Sequence, residues 1–429
     1  MAGHQHYHES MLSVEEALER ILDLCIPLNA ERRTILETLG HVLAEDVISS
    51  IDVPQLDNSA MDGYAVQANS LVGASKSSPV LLDVIGNVAA GQLPDAVVRP
   101  RTAVRIMTGA PLPKGADAVI PFEDTDEGYP RHSSVGVNRI AIFTQVDPTS
   151  HVRAAGRDIK RGEQVLERGT LLRSPHVGVL ASLGINAVKV VRSPKVAILS
   201  TGDELVEPGE EMKPGHIYNS NSSGLASAVV RSGGEPKILG IASDNVQTLS
   251  AKIEEGLTTD LLITSAGVSR GDYDIVKDVL AKMGKIEFWS VRMRPAKPLA
   301  FGILTGPDGR GVPHLGLPGN PVSALVAFEQ LGRPAILKMM GKTDLKRPVI
   351  DAVLKDPIYN ADGRRVYARA VVTKRNGVYY AKLTGHQDSN LLTSMAKANG
   401  LAICPEEDSV KKIGEVVKVQ MIDWPEVVF

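Results

Sequence analysis

Three glycine-bearing loops in the second half of the chain combine small residues with hydroxyl groups. They are the segments 200–204 (S-T-G-D-E), 265–274 (S-A-G-V-S-R-G-D-Y-D) and 317–324 (L-P-G-N-P-V-S-A). Each follows an apolar run typical of a buried strand and approaches a helical pattern. Glycine lets backbone amides come close to an anion, and a helix N-terminus favours negative charge. One such loop is usually an ordinary turn, but three in one sheet indicate a cradle for phosphate or another oxyanion.

Three acidic residues accompany these loops at predicted strand ends. Glu204 ends the first loop, Asp244 follows an apolar strand, and Asp274 ends the second loop. Clustered carboxylates beside phosphates suggest a Mg²⁺ site, because this ion takes oxygen ligands and bridges protein to phosphate. Helix N-capping explains Asp244 and Asp274 equally well. One residue can do both, so the two interpretations stay open.

Further candidates lie outside these loops. The segment 292–298 (R-M-R-P-A-K-P) gathers basic residues after a strand, and it is either a solvated strand edge or part of an anion site. The segments 57–65 (D-N-S-A-M-D-G-Y-A) and 108–113 (T-G-A-P-L-P) place polar groups next to apolar runs. Each is an ordinary turn when taken alone, but the density of polar groups makes a loop site plausible.

Composition and missing motifs exclude several classes of protein. Lys and Arg total 47 and Asp and Glu total 50, for a formal charge of −3, which argues against a nucleic-acid binder. Neither a G-x-G-x-x-G nor a G-x-x-x-x-G-K-[ST] motif is present, and two cysteines cannot build a disulfide framework. No run of about 18 apolar residues occurs, so we expect a cytoplasmic protein without membrane contact.

The hydrophobic pattern predicts the elements that position these groups. Ser13 and Glu16 form a capping box before a helix that Pro27 ends, and a second helical stretch is expected near 35–43. Short apolar runs split by Gly, Pro and Asn predict a compact β domain over 51–144. The polar, basic stretch 145–174 looks like a return crossing into another part of the molecule.

The second half of the chain alternates between strand and helix patterns. Over 175–341 this alternation predicts a parallel sheet with helices on both faces, including a helix that begins at Asn320 with Pro321 in its first turn. After Arg347 strands return, and Asn376-Gly377 predicts a hairpin. We expect a C-terminal β domain of about 80 residues.

The motifs in their order resemble those of molybdopterin molybdenumtransferases, a family that includes the C-terminal domain of gephyrin. The resemblance runs from about Ser13 to the C-terminus. It is carried by D-N-S-A-M-D-G-Y-A, T-G-A-P-L-P-x-G-A-D-A-V-I, A-G-R-D-I, S-T-G-D-E-L, N-S-N-S, S-A-G-V-S-R-G-D-Y-D, R-P-A-K-P-L-A-F-G and L-P-G-N-P-V-S-A.

The resemblance implies the last step of molybdenum cofactor synthesis. Molybdate is inserted into adenylylated molybdopterin, AMP is released, and Mg²⁺ or a similar divalent cation assists. It also implies a homodimer whose site lies between the α/β domain of one subunit and the C-terminal domain of the other. Protein partners expected on the same basis are molybdopterin adenylyltransferase and molybdoenzyme-maturation proteins.

The implied fold is multidomain, α/β plus β, with a doubly wound molybdopterin-binding domain. The expected parts are an N-terminal helix packing on the α/β domain (11–27), a discontinuous small elongated domain (28–50 and 145–174), a β domain (51–144), the α/β domain (175–341) and a C-terminal β-barrel domain (347–429).

The resemblance and the loops together give a set of candidate site residues. Those expected to be catalytic are Asp62, Thr108, Asp158, Glu204, Asp244 and Asp274, and the last three are also the expected metal ligands. Those expected to bind substrate are Thr201, Gly202, Asp203, Ser220, Asn221, Ser265, Gly267, Ser269, Arg294, Lys297, Pro318, Gly319, Asn320, Ser323, Arg369 and Ser389.

Four positions depart from the family pattern. Arg294 and Ala296 stand in a segment that is often Lys-Pro-Gly-Lys, Ala266 stands where glycine is common, and Asp388 stands where glycine often precedes Ser389. Arginine presents a planar fork to oxyanions where lysine presents a point charge.

Two other functions remain open at this stage. One is adenylylation of molybdopterin, which needs only a related α/β domain, whereas the additional β segments favour the later step. The other is a gephyrin-like scaffold, although no long linker or fused second domain is evident.

Overall fold

The computed structural model describes residues 11–128, 138–243, 245–267 and 275–424. The chain forms two compact units. The smaller unit holds residues 33–39 and 43–188, and the larger unit holds the rest of the described chain. Two strands, Ala30–Thr34 and Ala187–Val191, lie where the chain passes between the units.

A five-stranded sheet forms the centre of the smaller unit. Its strands in spatial order are Ala118–Pro121, Gly63–Val66, Thr102–Ile106, Val80–Val88 and Arg139–Ile142. All neighbours are antiparallel except the parallel pair Val80–Val88 and Thr102–Ile106. Buried aliphatic side chains such as Leu82, Ile120 and Ile142 form its core. The β character predicted for this part of the sequence is therefore confirmed.

Shorter elements complete the smaller unit. They are the strand pairs Val47–Ile48 with Gln164–Leu166 and Asn58–Ser59 with Val152–Arg153, the 3₁₀ turns Ile35–Thr38, Ala68–Leu71 and Phe122–Asp124, and the helix Ser174–Ser182. The prediction of a helix near 35–43 is wrong, because only the 3₁₀ turn Ile35–Thr38 forms there. Gly40 adopts φ +79°, a left-handed conformation that ends a helix.

A six-stranded sheet forms the centre of the larger unit. Its strands in spatial order are Glu235–Ala242, Lys195–Thr201, Leu261–Ser265, Gly311–Leu317, Pro298–Thr305 and Gly284–Ser290. The first four strands are parallel, but the last two are antiparallel to their neighbours. The expected parallel sheet is thus confirmed over four strands, and the two strands at one edge are antiparallel. The connection between Thr305 and Gly311 is too short to hold a crossover helix, so those two strands form a hairpin.

Helices cover both faces of this sheet, as predicted. Val196 and Ile198 belong to one apolar core, whereas Ala197 and Leu199 belong to another, because successive side chains of a strand point to opposite faces. The helices are Val14–Asp23, Ser220–Ser232, Val246–Gly256, Ile275–Met283, Pro321–Ala327 and Arg333–Met339, the last two joined by the π-helical turn Phe328–Gly332.

The N-terminal helix has the predicted capping box but ends earlier than predicted. Ser13 accepts from the Glu16 amide, and Glu16 accepts from Ser13. The helix ends at Asp23 rather than at Pro27. Lys338 donates to the carbonyl of Leu22, and the Leu28 amide donates to Met339, so the chain leaves the helix to pack on the larger unit.

A closed barrel forms the C-terminal part of the larger unit. Its strands are Arg365–Arg375, Val378–Leu383, Val349–Leu354, Val416–Met421 and Gly400–Cys404, and the last pairs back with the first. The predicted hairpin is confirmed, with positive φ at Asn376 and Gly377. The remaining elements are Leu205–Val206, Ile217–Tyr218, Met293–Arg294, Ile358–Tyr359, Val410–Lys411 and the helix Leu392–Lys397.

Candidate active site

Strand register brings the starts of the three glycine-bearing loops side by side. Ser200 is the register partner of Ser265, and Ser265 is the register partner of Leu317. These three residues lie at or next to the carboxyl ends of adjacent parallel strands. The loops that follow therefore leave the same edge of the sheet, where open α/β sheets bind their ligands.

A cleft of about 800 Å³ opens at this edge. Ten of the predicted substrate residues line it: Thr201, Ser220, Asn221, Ser265, Gly267, Lys297, Pro318, Gly319, Asn320 and Ser323. Glu204 lines it as well. Gly202 and Asp203 lie in the same loop but do not line the cleft.

Two helix N-termini point into the lining of this cleft. The helix Ser220–Ser232 starts at the cleft after the cap Asn219, and the helix Pro321–Ala327 starts there after Asn320. Unpaired backbone amides at a helix N-terminus attract negative charge. The amides at the start of Ser220–Ser232 and the exposed ammonium of Lys297 make the cleft suitable for an anionic ligand. The start of Pro321–Ala327 offers fewer donors, because Pro321 has no N–H and the Val322 amide donates to the Ser389 carbonyl.

A buried polar network holds the first of these helices against the sheet. The Ser200 hydroxyl lies 2.9 Å from Asn219 Oδ1 and 3.0 Å from Ser222 Oγ. Asn219 Oδ1 also accepts from the Ser222 amide, and its Nδ2 donates to Glu207 Oε1. Ser200, Asn219 and Ser222 are all buried, so the helix start has one defined position relative to the strand.

Gly202 leaves space for the carboxylate of Glu204. It adopts φ +140°, and a Cβ atom at this position would lie 2.4 Å from Glu204 Oε2. Any larger residue would displace that carboxylate. The departure at Ala266 also has a visible consequence, because this alanine adopts φ +79°, in the left-handed region that favours glycine.

A second, smaller cavity of about 240 Å³ lies on the other side of the basic segment. Arg294 and Arg369 line it, whereas Lys297 lines the large cleft. Arg369 is 1% exposed, and its guanidinium donates to Ser394 Oγ and to the carbonyl of Asp388. Burial lowers the pKa of Arg369 to about 10, although the charge of Asp388 opposes this shift.

Ser389 lines neither cavity, although Asp388 before it lines the smaller cavity and Asn390 after it lines the large cleft. The Ser389 carbonyl accepts from the Val322 amide at the start of a cleft helix. The next residues, Asn390 and Leu392, do line the large cleft. The chain's own C-terminal region therefore borders the cleft, where the resemblance implied the C-terminal domain of a second subunit.

The remaining described catalytic candidates belong to the smaller unit. Asp62 Oδ1 accepts from the amide and the hydroxyl of Thr108, at 2.6 and 2.7 Å. These two bonds hold the pKa of Asp62 below its usual range. Asp158 is exposed, and its amide donates to the carbonyl of Val53.

Three predicted site residues, Asp244, Ser269 and Asp274, lie outside the described residues. The helix cap expected of Asp244 is supplied by Asn245, whose side chain accepts from two amides of Val246–Gly256. Within the described ranges, no three His, Cys, Asp or Glu side chains cluster to hold a metal ion.

Several residues that line the cleft were not predicted from the sequence. They are Ser200, Leu205, Ile217, Tyr218, Asn219, Ala266, Ala296, Pro298, Pro321, Asn390 and Leu392. Asn219 carries a usable signal, because Asn before a helical pattern predicts an N-cap at the same helix start as Ser220 and Asn221. Asn390 and Leu392 carry none, since only the packing of the C-terminal region brings them to the cleft.

In chain order, a β unit precedes a doubly wound α/β region with a donor-lined cleft, and a closed barrel follows. This order defines a class of multidomain α/β protein. Three family models match the chain in order: the MoeA N-terminal region (domain I and II) at 12–184, the probable molybdopterin binding domain at 197–338, and the MoeA C-terminal region (domain IV) at 351–422. The chain belongs to the molybdopterin molybdenumtransferase family, which confirms the resemblance in its motifs.

Individual relatives cover nearly the whole chain. Molybdopterin molybdenumtransferase 2 of Mycobacterium tuberculosis is 37% identical over 92% of this chain and 96% of its own length. Molybdopterin molybdenumtransferase of a Nostoc species is 36% identical over 96% of this chain and 94% of its own length. The crystal structure of a molybdopterin biosynthesis MoeA protein from Pyrococcus horikosii is 34% identical, with a TM-score of 0.80 over 97% of this chain and all of its own.

In the described part of the chain, no helix is both long and apolar enough to cross a membrane.

Proposed function

We propose that this protein inserts molybdate into adenylylated molybdopterin and releases AMP, which completes the molybdenum cofactor. The alignment of Ser200, Ser265 and Leu317 carries the proposal, because it sets the starts of three donor-rich loops side by side at one cleft. A volume of about 800 Å³ is in the range of sites for ligands of this size. Relatives that bear the name molybdopterin molybdenumtransferase support the same reaction.

In this proposal the pterin phosphates lie in the large cleft. The N-terminus of the helix Ser220–Ser232, the hydroxyls of Thr201, Ser265 and Ser323, and the ammonium of Lys297 would donate to the phosphate oxygens. The backbone around these donors would be formed by Gly202, Asp203, Ser220, Gly267, Pro318, Gly319 and Asn320. Ser269 is placed with them from its motif alone.

A divalent cation fits this cleft chemically. Mg²⁺ binds through one or two carboxylates together with substrate phosphates, so Glu204 supplies a suitable oxygen ligand beside the phosphates. Asp244 and Asp274 are proposed as further ligands on their motifs alone. When bound, the ion would neutralise phosphate charge, while the side chains of this protein orient the ligand.

The smaller cavity is proposed to take part in handling the oxyanion. Arg369 is a buried guanidinium whose hydrogen bonds go to a hydroxyl and a carbonyl rather than to a carboxylate, and Arg294 lines the same cavity. Ser389 is placed with them from its motif. Asp62, Thr108 and Asp158 in the smaller unit are proposed as catalytic residues because they occupy family motifs.

A homodimer is part of the proposal, as are contacts with molybdopterin adenylyltransferase and with molybdoenzyme-maturation proteins. Sedimentation equilibrium of the purified protein tests the dimer, and a monomer at micromolar concentration would contradict it.

The test of function is the release of AMP from adenylylated molybdopterin in the presence of molybdate and MgCl₂. We expect turnover by the wild type and loss of at least about 100-fold in Glu204→Gln, because the substitution removes a charged oxygen ligand. Asp274→Asn is expected to behave in the same way. Glu211→Gln, an exposed carboxylate on the loop that follows Leu205–Val206, is the matched control and should keep wild-type turnover.

Two results would contradict the proposal. Wild-type turnover by Glu204→Gln would show that this carboxylate has no role in the reaction. Activity with molybdopterin and ATP, without activity on the adenylylated compound, would assign the protein to the preceding step.

A further inference from the structure

Asn221 makes two hydrogen bonds that tie together two of the cleft loops. Its Nδ2 lies 2.7 Å from Ser265 Oγ and 2.7 Å from the carbonyl oxygen of Gly319. Ser265 ends the strand Leu261–Ser265. Gly319 lies in the loop after Gly311–Leu317, which is the neighbouring strand in the sheet. Asn221 itself is the second residue of the helix Ser220–Ser232, whose start is held by the buried network around Asn219.

The partners of Asn221 determine the orientation of its amide. A backbone carbonyl can only accept a hydrogen bond, so the NH₂ group, and not the carbonyl oxygen, must face Gly319. An amide NH₂ has two protons, and Gly319 and Ser265 take one each. The nitrogen of Asn221 therefore has no proton left to donate to a ligand.

The same geometry determines the direction of the Ser265 hydroxyl. Because Asn221 donates to it, Ser265 Oγ is an acceptor in this bond and its own proton is directed elsewhere. Ser265 lines the cleft and is 2% exposed, and its hydroxyl has no other hydrogen-bond partner among the residues that the structure describes. The proton is thus available to an anion in the cleft.

We propose that Asn221 is a positioning residue that turns the Ser265 hydroxyl into a donor toward a ligand phosphate and keeps the Gly319 carbonyl turned away from it. Without Asn221, the Ser265 proton would bond to the nearest protein acceptor, and the Gly319 oxygen would be free to approach the phosphate and repel it. This inference rests on the proposed function, since it requires a phosphate-bearing ligand in the cleft.

A double-mutant cycle tests this role. The probe is ADP with MgCl₂, which carries the adenosine and pyrophosphate portions of adenylylated molybdopterin, and the readout is its dissociation constant from isothermal titration calorimetry. We expect Asn221→Ala and Ser265→Ala each to weaken binding by about tenfold, the scale of one hydrogen bond to a charged group. The double variant should bind more tightly than the product of the two single effects predicts, because Asn221 acts partly through Ser265 and partly through Gly319.

Matched variants separate this role from a merely structural one. Ser323 also lines the cleft, so Ser323→Ala combined with Asn221→Ala should multiply the two single effects. Ser227→Ala, on the same helix, removes a hydroxyl that donates to the Ser223 carbonyl and should bind as the wild type does. In AMP release, Asn221→Ala should raise KM with kcat little changed, since it acts on binding of the ground state.

Defined outcomes overturn the inference. Multiplicative effects of Asn221→Ala and Ser265→Ala would mean that the two residues act independently. If Asn221→Ala fails to fold, Asn221→Asp keeps the shape but cannot donate, and wild-type affinity in that variant would also overturn the role. A wild type that binds ADP but releases no AMP contradicts the reaction and leaves the cycle valid, whereas a wild type that binds no ADP overturns both.

Discussion

At the scale of single residues, the direction of each hydrogen bond decides what a side chain can do. Both donors of Thr108 bond to Asp62 Oδ1, and among the described residues none is bonded to Oδ2, which is left for solvent or a ligand. Asp62 is exposed. Its pKa is lowered most by the hydrogen bond from the Thr108 amide and next by the bond from the Thr108 hydroxyl. Asp62 therefore stays ionised in mildly acidic solution.

Thr108→Val should raise the pKa of Asp62 toward its ordinary value of 3.8, because valine keeps the amide but lacks the hydroxyl. If Asp62 acts as a carboxylate, the acidic limb of the profile of kcat/KM against pH should move to higher pH. An NMR titration of the Asp62 carboxyl would measure the shift directly. Thr102→Val, whose hydroxyl bonds to Arg99 instead, is the control, and equal profiles for both variants would contradict the role of Thr108.

At the scale of elements, the start of the helix Ser220–Ser232 is the part of the site that depends most on its cap. Asn219 accepts the Ser222 amide and also contacts Ser200 in the adjacent strand. It is 1% exposed, so removing it leaves buried hydroxyls without their partners. The cap thus contributes both to the stability of the helix and to the position of the cleft residues at its start.

Asn219→Ala should lower the free energy of unfolding by about 2 kcal/mol, the upper range for the loss of a helix cap. Urea unfolding followed by tryptophan fluorescence suits this test, because both tryptophans, Trp289 and Trp424, lie in the larger unit. Asn245→Ala removes the exposed cap of a neighbouring helix and should cost about 1 kcal/mol. Equal losses in the two variants would show that the buried network adds nothing.

At the scale of the whole molecule, one ion-pair cluster joins segments that are far apart in sequence. Asp260 accepts from both terminal nitrogens of Arg192 at 2.6 Å and from the Lys195 amide, and Arg310 lies 3.4 Å away. Burial alone would raise the pKa of Asp260, but the Arg192 hydrogen bonds and charge overcome it and lower the pKa. The cluster holds the start of one central strand beside the start of the next.

Asp260→Asn should destabilise the larger unit by about 3 kcal/mol at neutral pH, because it removes the carboxylate that is hydrogen-bonded to the partly buried Arg192. The lowered pKa of the folded state means that this stabilisation is present above the ordinary value of 3.8 and is lost as the pH falls through the folded value. The difference between wild type and variant should therefore shrink in acid.

Urea unfolding between pH 7 and pH 3 measures this convergence. Asp308→Asn removes an exposed partner of Arg310 and should cost less than about 1 kcal/mol. A gap between Asp260→Asn and the wild type that stays constant down to pH 3 would contradict the linkage.

Much of the site was visible in the sequence because its loops carry residues chosen for backbone reasons. Gly202 and Gly319 mark places where the chain needs freedom or close approach, and Asn320-Pro321 marks a helix start. The helix expected near 35–43 failed because apolar spacing alone does not reveal a stop at Gly40. The antiparallel edge of the large sheet was missed because loop length, rather than strand composition, decides strand direction.

The sequence by itself determined the family, the order of strands and helices, and which loops carry donors, since these depend on residues close together in the chain. Tertiary structure decided that Ser200, Ser265 and Leu317 align, that Arg294 and Lys297 line different cavities, and that Asn221 donates to protein groups. These facts depend on register and on packing between distant segments. No local pattern encodes them, because side chains that meet across a sheet are separated by dozens of residues along the chain.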